Sequence, residues 1–350
     1  MPDSYQQILS HLSRARRVLV TTHVRPDGDA LGSTAALVAG MRQRGVIGEV
    51  LLLSHLPTKY AFLFHDNGIV HHDAEVGWPA SLSLDNFDAF VVVDTGTWSQ
   101  LPGLKERISA WNVPKVVVDH HLTQENWADA KLVVTEAAAA GEIVAELLDQ
   151  WEVKLDAAMG SALFVAIASD TGWFQFSNTR PFTLRLAARL IEAGADTDRL
   201  YQLLYQNERP ERIALQARAQ QSLELLLDNR LAVMRVTHQD FVHTRASVPD
   251  TESLINIPLQ IRTVEVSILL TEPGDAGPVR VSLRSKGQVD VARFAEQFGG
   301  GGHARAAGLK LQLPLHEARA RLVAALSNTM SEQNPKSGTG NPKSETRNPK

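Results

Sequence analysis

The chain has 350 residues, 44% of them hydrophobic and 21% charged, with a formal net charge of −4. A prior of about 150 residues per domain suggests two domains, and the slightly acidic balance excludes a global basic field, so any nucleic-acid chemistry must rest on a local site. There is no cysteine, which excludes disulfides, thiolate nucleophiles and Cys-type zinc sites together and leaves nitrogen and oxygen as the only metal ligands.

From the amino terminus, Tyr5, Ile8, Leu9, Leu12 and Ala15 recur at helical spacing before the period changes into the apolar run Val18 to Val20. The opening segment lacks the apolar core and small-residue cleavage site of a secretory signal. No run approaches the about 18 apolar residues of a membrane span, so a cytoplasmic protein with no membrane partner is expected. "ALGSTAALVAGMRQRG" predicts a helix from about Ala30 to Arg44, stopped by Gly45. "EVLLLS" (Glu49 to Ser54), "AFVVVD" (Ala89 to Asp94) and "KVVVD" (Lys115 to Asp119) are continuous apolar runs, the pattern of strands covered on both faces. Helices are expected at Glu142 to Trp151 and Ala162 to Ser169. The alternation argues for an α/β fold with a parallel sheet flanked by helices.

From Pro181 to about Leu227 the pattern is helical, a connector into a second unit whose start falls between about 185 and 225. Strand-like runs return at Arg230 to Thr237, Val264 to Glu272 and Val279 to Ser285. The helix "VARFAEQF" then opens into four glycines, and "AGLKLQL" and "LHEARARLVAAL" close a smaller α/β unit. The remaining tail carries "NPK" at 334, 341 and 348. Its prolines forbid a helix and it has nothing to bury, so disorder is expected.

In a doubly wound sheet, ligands bind beyond the carboxyl ends of the strands. After "VLVTT" comes "HVRPDGDALGS", with His23, Asp27 and Asp29; after "FVVV" comes Asp94; after "VVV" come Asp119, His120 and His121; after "ALFVAIAS" comes Asp170. One Asp after a strand is usually a cap or turn residue, and a lone histidine is usually packed or at the surface. Four segments ending this way on one rim point instead to metal ligation, and sulfur-free ligands suit Mn, Mg or Fe better than structural zinc. In the second unit, "FGGGGHARAAG" (Phe298 to Gly308) offers glycines able to converge their amides into an anion-binding nest, with His303 as a donor beside it. Arg284 and Lys286 end a strand and could pair with phosphate, a reading with which ordinary solvated surface competes.

With "HVRPDGDALGS", "VVVDTG", "VVVDHH" and "IASDTGWF" in this order and "GGGHARAAG" near the end, the sequence resembles the DHH phosphoesterase superfamily from about residue 5 to 327. The last motif is similar to the substrate-binding domain of its RecJ-like branch. Two-domain length and "VSLRSKGQVDVARFAEQFGGGGHARAAG" most resemble the bifunctional oligoribonuclease and pAp phosphatase group, the NrnA-like proteins. The resemblance implies a DHH catalytic domain over 1–185, a helical connector over 186–225, a DHH-associated substrate-binding domain over 226–327 and a disordered tail over 328–350. It also implies two divalent metal ions, Mn²⁺ in the first place with Mg²⁺ as the alternative. His23, Asp27 and Asp94 would hold one, and Asp29, Asp94, His120 and Asp170 the other. His121 would face the scissile phosphate, Asp119 would orient the histidines, and Arg284, Gly300, Gly301, Gly302 and His303 would grip the nucleotide. Relatives often place a Ser or Thr shortly before the Glu of the helix after DHH, where this chain has "AAAAGEIV"; Ala139 and Ala140 can donate no hydroxyl.

The expected activity is two-metal hydrolysis of short oligoribonucleotides to nucleoside monophosphates and of pAp to AMP. Its partners are then short RNA and nucleotides, with no stable complex on long nucleic acid, and a homodimer is compatible with this reading. Alternatives are a linear dinucleotide (pApA or pGpG) phosphodiesterase and a catalytically inactive nucleotide-binding regulator on the same fold, which would lack at least one ligand. A pyrophosphatase is disfavoured by the glycine-rich nucleotide-gripping segment.

Overall fold

The computed structural model describes residues 2–274 and 277–332. The chain divides between Asn207 and Glu208 into two compact units. The first runs through α1 (Pro2–Arg14), β1 (Arg17–Thr21), α2 (Gly28–Gln43), β2 (Ile47–Leu52), α3 (Phe62–His65), β3 (His71–Asp73), β4 (Ala89–Val93), α4 (Lys105–Ala110), β5 (Lys115–Asp119) and β6 (Ala130–Val133). It closes with α5 (Ala140–Gln150), α6 (Ala157–Asp170), α7 (Pro181–Glu192) and α8 (Thr197–Tyr205).

Its six strands form one sheet in the order β3-β2-β1-β4-β5-β6, every pair parallel. The apolar runs are continuous because both faces are covered. Val18, Val20, Val91, Val93, Val116 and Val118 pack with α1, α2, α5 and α6 on one face. Leu19, Phe90, Val92 and Val117 meet Leu101, Leu104 and Ile108 on the other. The edge strands β3 and β6 are short and were not apparent in the sequence: "HHD" has no apolar residue to mark it. Chain order reverses between β1 and β4, the topological switch point at which such sheets bind ligands.

The second unit contains α9 (Pro210–Gln221), β7 (Glu224–Leu226), β8 (Leu231–Val236), α10 (His238–Thr244), a 3-10 turn at Leu254–Gln260, β9 (Val266–Thr271), β10 (Val279–Ser285), α11 (Val291–Glu296), β11 (Gly301–His303), β12 (Ala306–Leu311) and α12 (Leu315–Glu332). The sheet order is β11-β12-β10-β9-β8-β7, antiparallel except for the β8–β9 pair. One face buries α11 and α12, including Phe294, Leu322 and Leu326. The other is covered at β8 and β9 by α9, α10 and the 3-10 turn. The helical stretch expected as a connector is three helices, α7 and α8 lying in the first unit and α9 in the second.

The last helix departs from expectation. It runs to Glu332, past residue 327, because Ala318, Leu322, Leu326 and Met330 continue one buried stripe at a spacing of four. The rest of the stretch expected as tail lies outside the described residues. No helix among the described residues is long and apolar enough to cross a membrane.

Candidate metal centre

Four segments of the first unit deliver polar groups to the switch point. The chain leaves β1 into His23 and enters α2 through Asp27, whose carboxylate caps the helix by accepting from the amides of Asp29 (3.0 Å) and Ala30 (3.1 Å). Asp94 follows β4 in a left-handed conformation (φ 66°). Asp119 ends β5, with His120 and His121 in the loop beyond it, and Asp170 is the last residue of α6.

Ligand atoms of His23, Asp27 and Asp94 lie within 4.8 Å of one another, as do those of Asp29, His120 and Asp170, and those of Asp94, His120 and His121. Asp94 joins the groups with one oxygen on each side. Its Oδ2 is 3.5 Å from His23 Nε2, while its Oδ1 is 3.3 Å from His120 Nε2 and 3.6 Å from His121 Nδ1. His120 Nε2 is also 3.4 Å from Asp170 Oδ2 and 3.7 Å from Asp29 Oδ2.

The tautomers show what such a cluster requires. His23 Nδ1 lies 3.0 Å from the Val24 carbonyl and His120 Nδ1 3.2 Å from that of Ala137. A carbonyl only accepts, so each neutral ring carries its proton on Nδ1 and turns the Nε2 lone pair towards the carboxylates. Asp94 Oδ1 and His120 Nε2 are buried without a hydrogen-bond partner among the described residues. Lone pairs converging in this way are satisfied by a cation between them, and a nitrogen and oxygen donor set of this kind fits a divalent metal ion.

Without a metal, protons take that role. Burial, then the Asp94 and Asp170 carboxylates, raise Asp29 well above the usual carboxylate range. Burial and the charges of Asp27 and Asp94 push Asp170 up to about 6. Burial alone would lower the histidines, but hydrogen bonding and attraction to Asp94 carry His23 to about 9, and Asp94 with Asp29 carries His120 to about 10. Against its own burial, Asp94 is held below its ordinary value by the same two histidines.

The supporting contacts fix these groups. Asp29, fully buried, accepts from Ser33 Oγ (2.8 Å), the Ala140 amide (2.6 Å) and the Gly141 amide (2.9 Å). The amides at the start of α5 thus supply the polar contact that Ala139 and Ala140 cannot make with a side chain. Asp119, also fully buried, accepts through Oδ1 from the amides of His120 (2.8 Å) and His121 (3.2 Å) and from His121 Nδ1 (2.8 Å). Its Oδ2 accepts from Gln124 Nε2 at 2.5 Å. The His121 ring thereby keeps Nε2 free, and the bond to Asp119 raises its pKa.

These groups open on a cavity of about 440 Å³ lined by His23, Asp27, Asp94, His121 and Asp170 together with the polar Thr95, Thr97, Ser99, Gln100 and Thr123. Sequence reasoning missed this polar wall and Gln124. Hydroxyl and amide residues are common in loops, and their only signal was nearness to the strand-end carboxylates. A fourth group, His55 with Asp73 and Glu75, lies apart from these and is solvent-exposed.

The five second-unit residues form their own group. The second half of the glycine run is a strand and not an open nest: Gly301, Gly302 and His303 pair with Gly308, Ala307 and Ala306, while Gly299, in a left-handed turn (φ 74°), and Gly300 precede it. A Cβ on Gly300 would strike the Gly308 carbonyl and one on Gly302 the Ala306 carbonyl, so glycine permits close strand approach there. Arg284 also pairs with Ala306, which puts Arg284 and His303 on the same sheet face, on either side of the Ala306 methyl. Lys286 instead donates to the Ile261 carbonyl at 2.7 Å.

A doubly wound parallel sheet with acidic and imidazole groups at its switch point, followed by a sheet closed by a glycine-rich hairpin, is the architecture of the DHH phosphoesterases. Residues 17–168 match the DHH family, N-terminal domain, and residues 228–332 match the DHHA1 domain; the chain belongs to this family. It is similar to the bifunctional oligoribonuclease and PAP phosphatase NrnA of Thermus thermophilus, 27% identical over 319 residues, 90% of each chain. The Bacillus subtilis protein of the same name is 23% identical over 312 residues, 87% of this chain and 92% of that one. Among solved structures, an exopolyphosphatase-related protein from Bacteroides fragilis shares the fold with a TM-score of 0.79 at 21% identity, over 95% of this chain and 98% of that one.

Proposed function

We propose that the protein hydrolyses short oligoribonucleotides to nucleoside monophosphates and pAp to AMP and phosphate, using two divalent metal ions. The observation that carries this reading is Asp94, whose two oxygens face two separate sets of nitrogen and oxygen donors. His23, Asp27 and Asp94 would hold one ion and Asp29, Asp94, His120 and Asp170 the other, with Mn²⁺ the ion the family resemblance implies and Mg²⁺ the alternative. When bound, the pair supplies Lewis-acid stabilisation of phosphate charge and acidifies water.

The remaining work falls to the chain. Asp119 holds His121 through Nδ1 and favours the protonated ring, whose Nε2–H can then donate to the leaving oxygen as the phosphorus–oxygen bond breaks. Water supplies the oxygen that stays on phosphorus, and the proton passed to the leaving group completes the alcohol. Thr97, Ser99 and Thr123 offer hydroxyl groups to ribose and phosphate oxygens from the lining of the same cavity. In the second unit, Arg284 and His303 would take a substrate phosphate, a role that the relatives' nucleotide substrates support.

The purified protein is supplied with Mn²⁺ or Mg²⁺ and given oligoribonucleotides of graded length, pAp, pApA, pGpG and pyrophosphate, with products resolved by chromatography. Release of monophosphates from short RNA and of AMP from pAp is expected. Turnover of pApA and pGpG alone would make it a linear dinucleotide phosphodiesterase, and turnover of pyrophosphate alone would overturn the nucleotide reading.

A further inference from the structure

The second sheet carries more basic side chains on one face than Arg284 and His303 alone. β10 alternates buried Val279, Val281 and Leu283 with outward Arg280, Ser282 and Arg284; β12 alternates Ala307, Leu309 and Leu311 with Ala306, Gly308 and Lys310. The register opposes Arg280 to Lys310, Ser282 to Gly308 and Arg284 to Ala306, and β11 adds Gly301 beside Gly308 and His303 beside Ala306. Directly opposed residues on antiparallel strands share a face. The surface therefore has three rows: Arg284, Ala306 and His303; then Ser282, Gly308 and Gly301; then Arg280 and Lys310.

At about 3.4 Å per residue, four residues of β10 put the Arg280 row about 14 Å from the Arg284 row. Between them the floor is a serine hydroxyl and two glycines, with no side chain to block a ligand lying along the strands. α11 and α12 pack on the opposite face, and the helices on this side cover β8 and β9, so Arg280, Gly308, Lys310 and His303 are exposed. The rows hold no carboxylate, and neither Arg280 nor Lys310 has an ion-pair partner among the described residues. Two cationic groups separated along a smooth strip suit a ligand with several phosphates in a chain. A mononucleotide would need only one of them.

We propose that this face is a track for the backbone of short single-stranded RNA, on which Arg284 and His303 take one phosphate and Arg280 with Lys310 take another further along the strands. The inference rests on the hydrolase reading above and deepens it by assigning the preference for substrate length to Arg280 and Lys310.

The test measures binding by the full chain in EDTA, where turnover is stopped, with fluorescein-labelled pentaribonucleotide and diribonucleotide at graded salt. The double variant Arg280→Gln, Lys310→Gln is expected to bind the pentamer about tenfold more weakly at low salt, with a log–log salt slope shallower by about 1.4, since each single-strand contact contributes about 0.7. Dinucleotide affinity should not change. Arg293→Gln, which removes an 85% exposed cation from α11 of the same unit, should change neither. Both replaced side chains are exposed, and an unaltered melting temperature confirms an intact fold. No pentamer binding by the wild type, an unchanged slope in the double variant, or an equal loss for the dinucleotide would each overturn the track. Failure of the parent reading is seen separately, as no turnover of dinucleotide or pAp by wild-type protein with Mn²⁺.

Discussion

Gly96 and Gln124 form a lock whose removal has a calculable signature. Gln124 donates to Asp119 Oδ2 (2.5 Å) and to the His121 carbonyl (3.0 Å), and its side chain lies against Gly96. A Cβ on Gly96 would fall on Gln124 Oε1 and 2.5 Å from its Cδ. Gly96 does not have a positive φ, so the backbone accepts alanine and the collision is the whole perturbation. Gly96→Ala should displace the Gln124 amide and leave Asp119, fully buried, short of one donor. A hydrogen bond to a buried charge contributes about 1.5–3 kcal/mol, so urea unfolding should show a loss of that size, and kcat should fall by about tenfold to a hundredfold if His121 depends on Asp119. Gln124→Ala should cost about the same, because it removes the same donor. The double variant should cost little more than either alone, since no Gln124 side chain remains to collide with, giving a coupling energy of about 1.5–3 kcal/mol. Additive losses in the double-variant cycle would refute the lock.

Asp94→Asn keeps the shape and tolerates the left-handed backbone, yet removes a charge shared by both donor sets. At an effective dielectric of 20, a unit charge about 4 Å from a divalent ion contributes about 8 kcal/mol before the cost of desolvation, so calorimetry should show affinity at both metal sites falling by at least roughly a thousandfold, and a loss confined to one site would contradict bridging. His23 at about 9 and His120 at about 10 are protonated at neutral pH in the metal-free protein, whereas Asp170 at about 6 is mostly ionised. Metal uptake should therefore release at least two protons near pH 7, with Asp29, itself raised by burial, able to add to them, and should tighten as pH rises, read from titrations in buffers of different ionisation enthalpy. Away from the site, burial opposes ionisation of Glu49, but hydrogen bonds from Arg17 and His72 prevail and lower its pKa. Its stabilisation is present above the usual carboxylate pKa and lost as pH falls through the depressed value, so Glu49→Gln should lower stability by about 1–2 kcal/mol at neutral pH, discounted for the exposure of Arg17, and by much less near about pH 3. Thr97→Val and Ser99→Ala should raise KM several-fold and spare kcat, as expected for hydroxyls that bind substrate without entering the bond change.

The sequence reveals what packing makes periodic. Val18, Val91 and Val116 face α-helices while Leu19, Phe90 and Val117 face the opposite layer, so central strands appear as unbroken apolar runs whose ends can be located to within a residue or two. The titratable groups after those runs were then visible together because a parallel sheet brings all its carboxyl ends to one rim. Edge strands escape this logic. β3 and β6 are short, β3 has no apolar residue, and β11 is written in two glycines and a histidine, which as a sequence favours a flexible turn.

Contacts made by main-chain groups escape it for another reason. Ala138, Ala139 and Ala140 look like a site stripped of a hydroxyl, and a reading of side chains alone finds a deficit there. Yet a helix amino terminus has free amides whatever its sequence, and α5 begins where the amides of Ala140 and Gly141 reach Asp29. Small residues are what allow that approach: Ala139 and Ala140 are wholly buried, and a Cβ on Gly141 would strike the Ala166 methyl. A Ser or Thr in the alanine run would add bulk to a closed contact as well as a donor. In this chain the alanines are therefore part of the way Asp29 is held, since they let backbone stand in for the side chain that is missing.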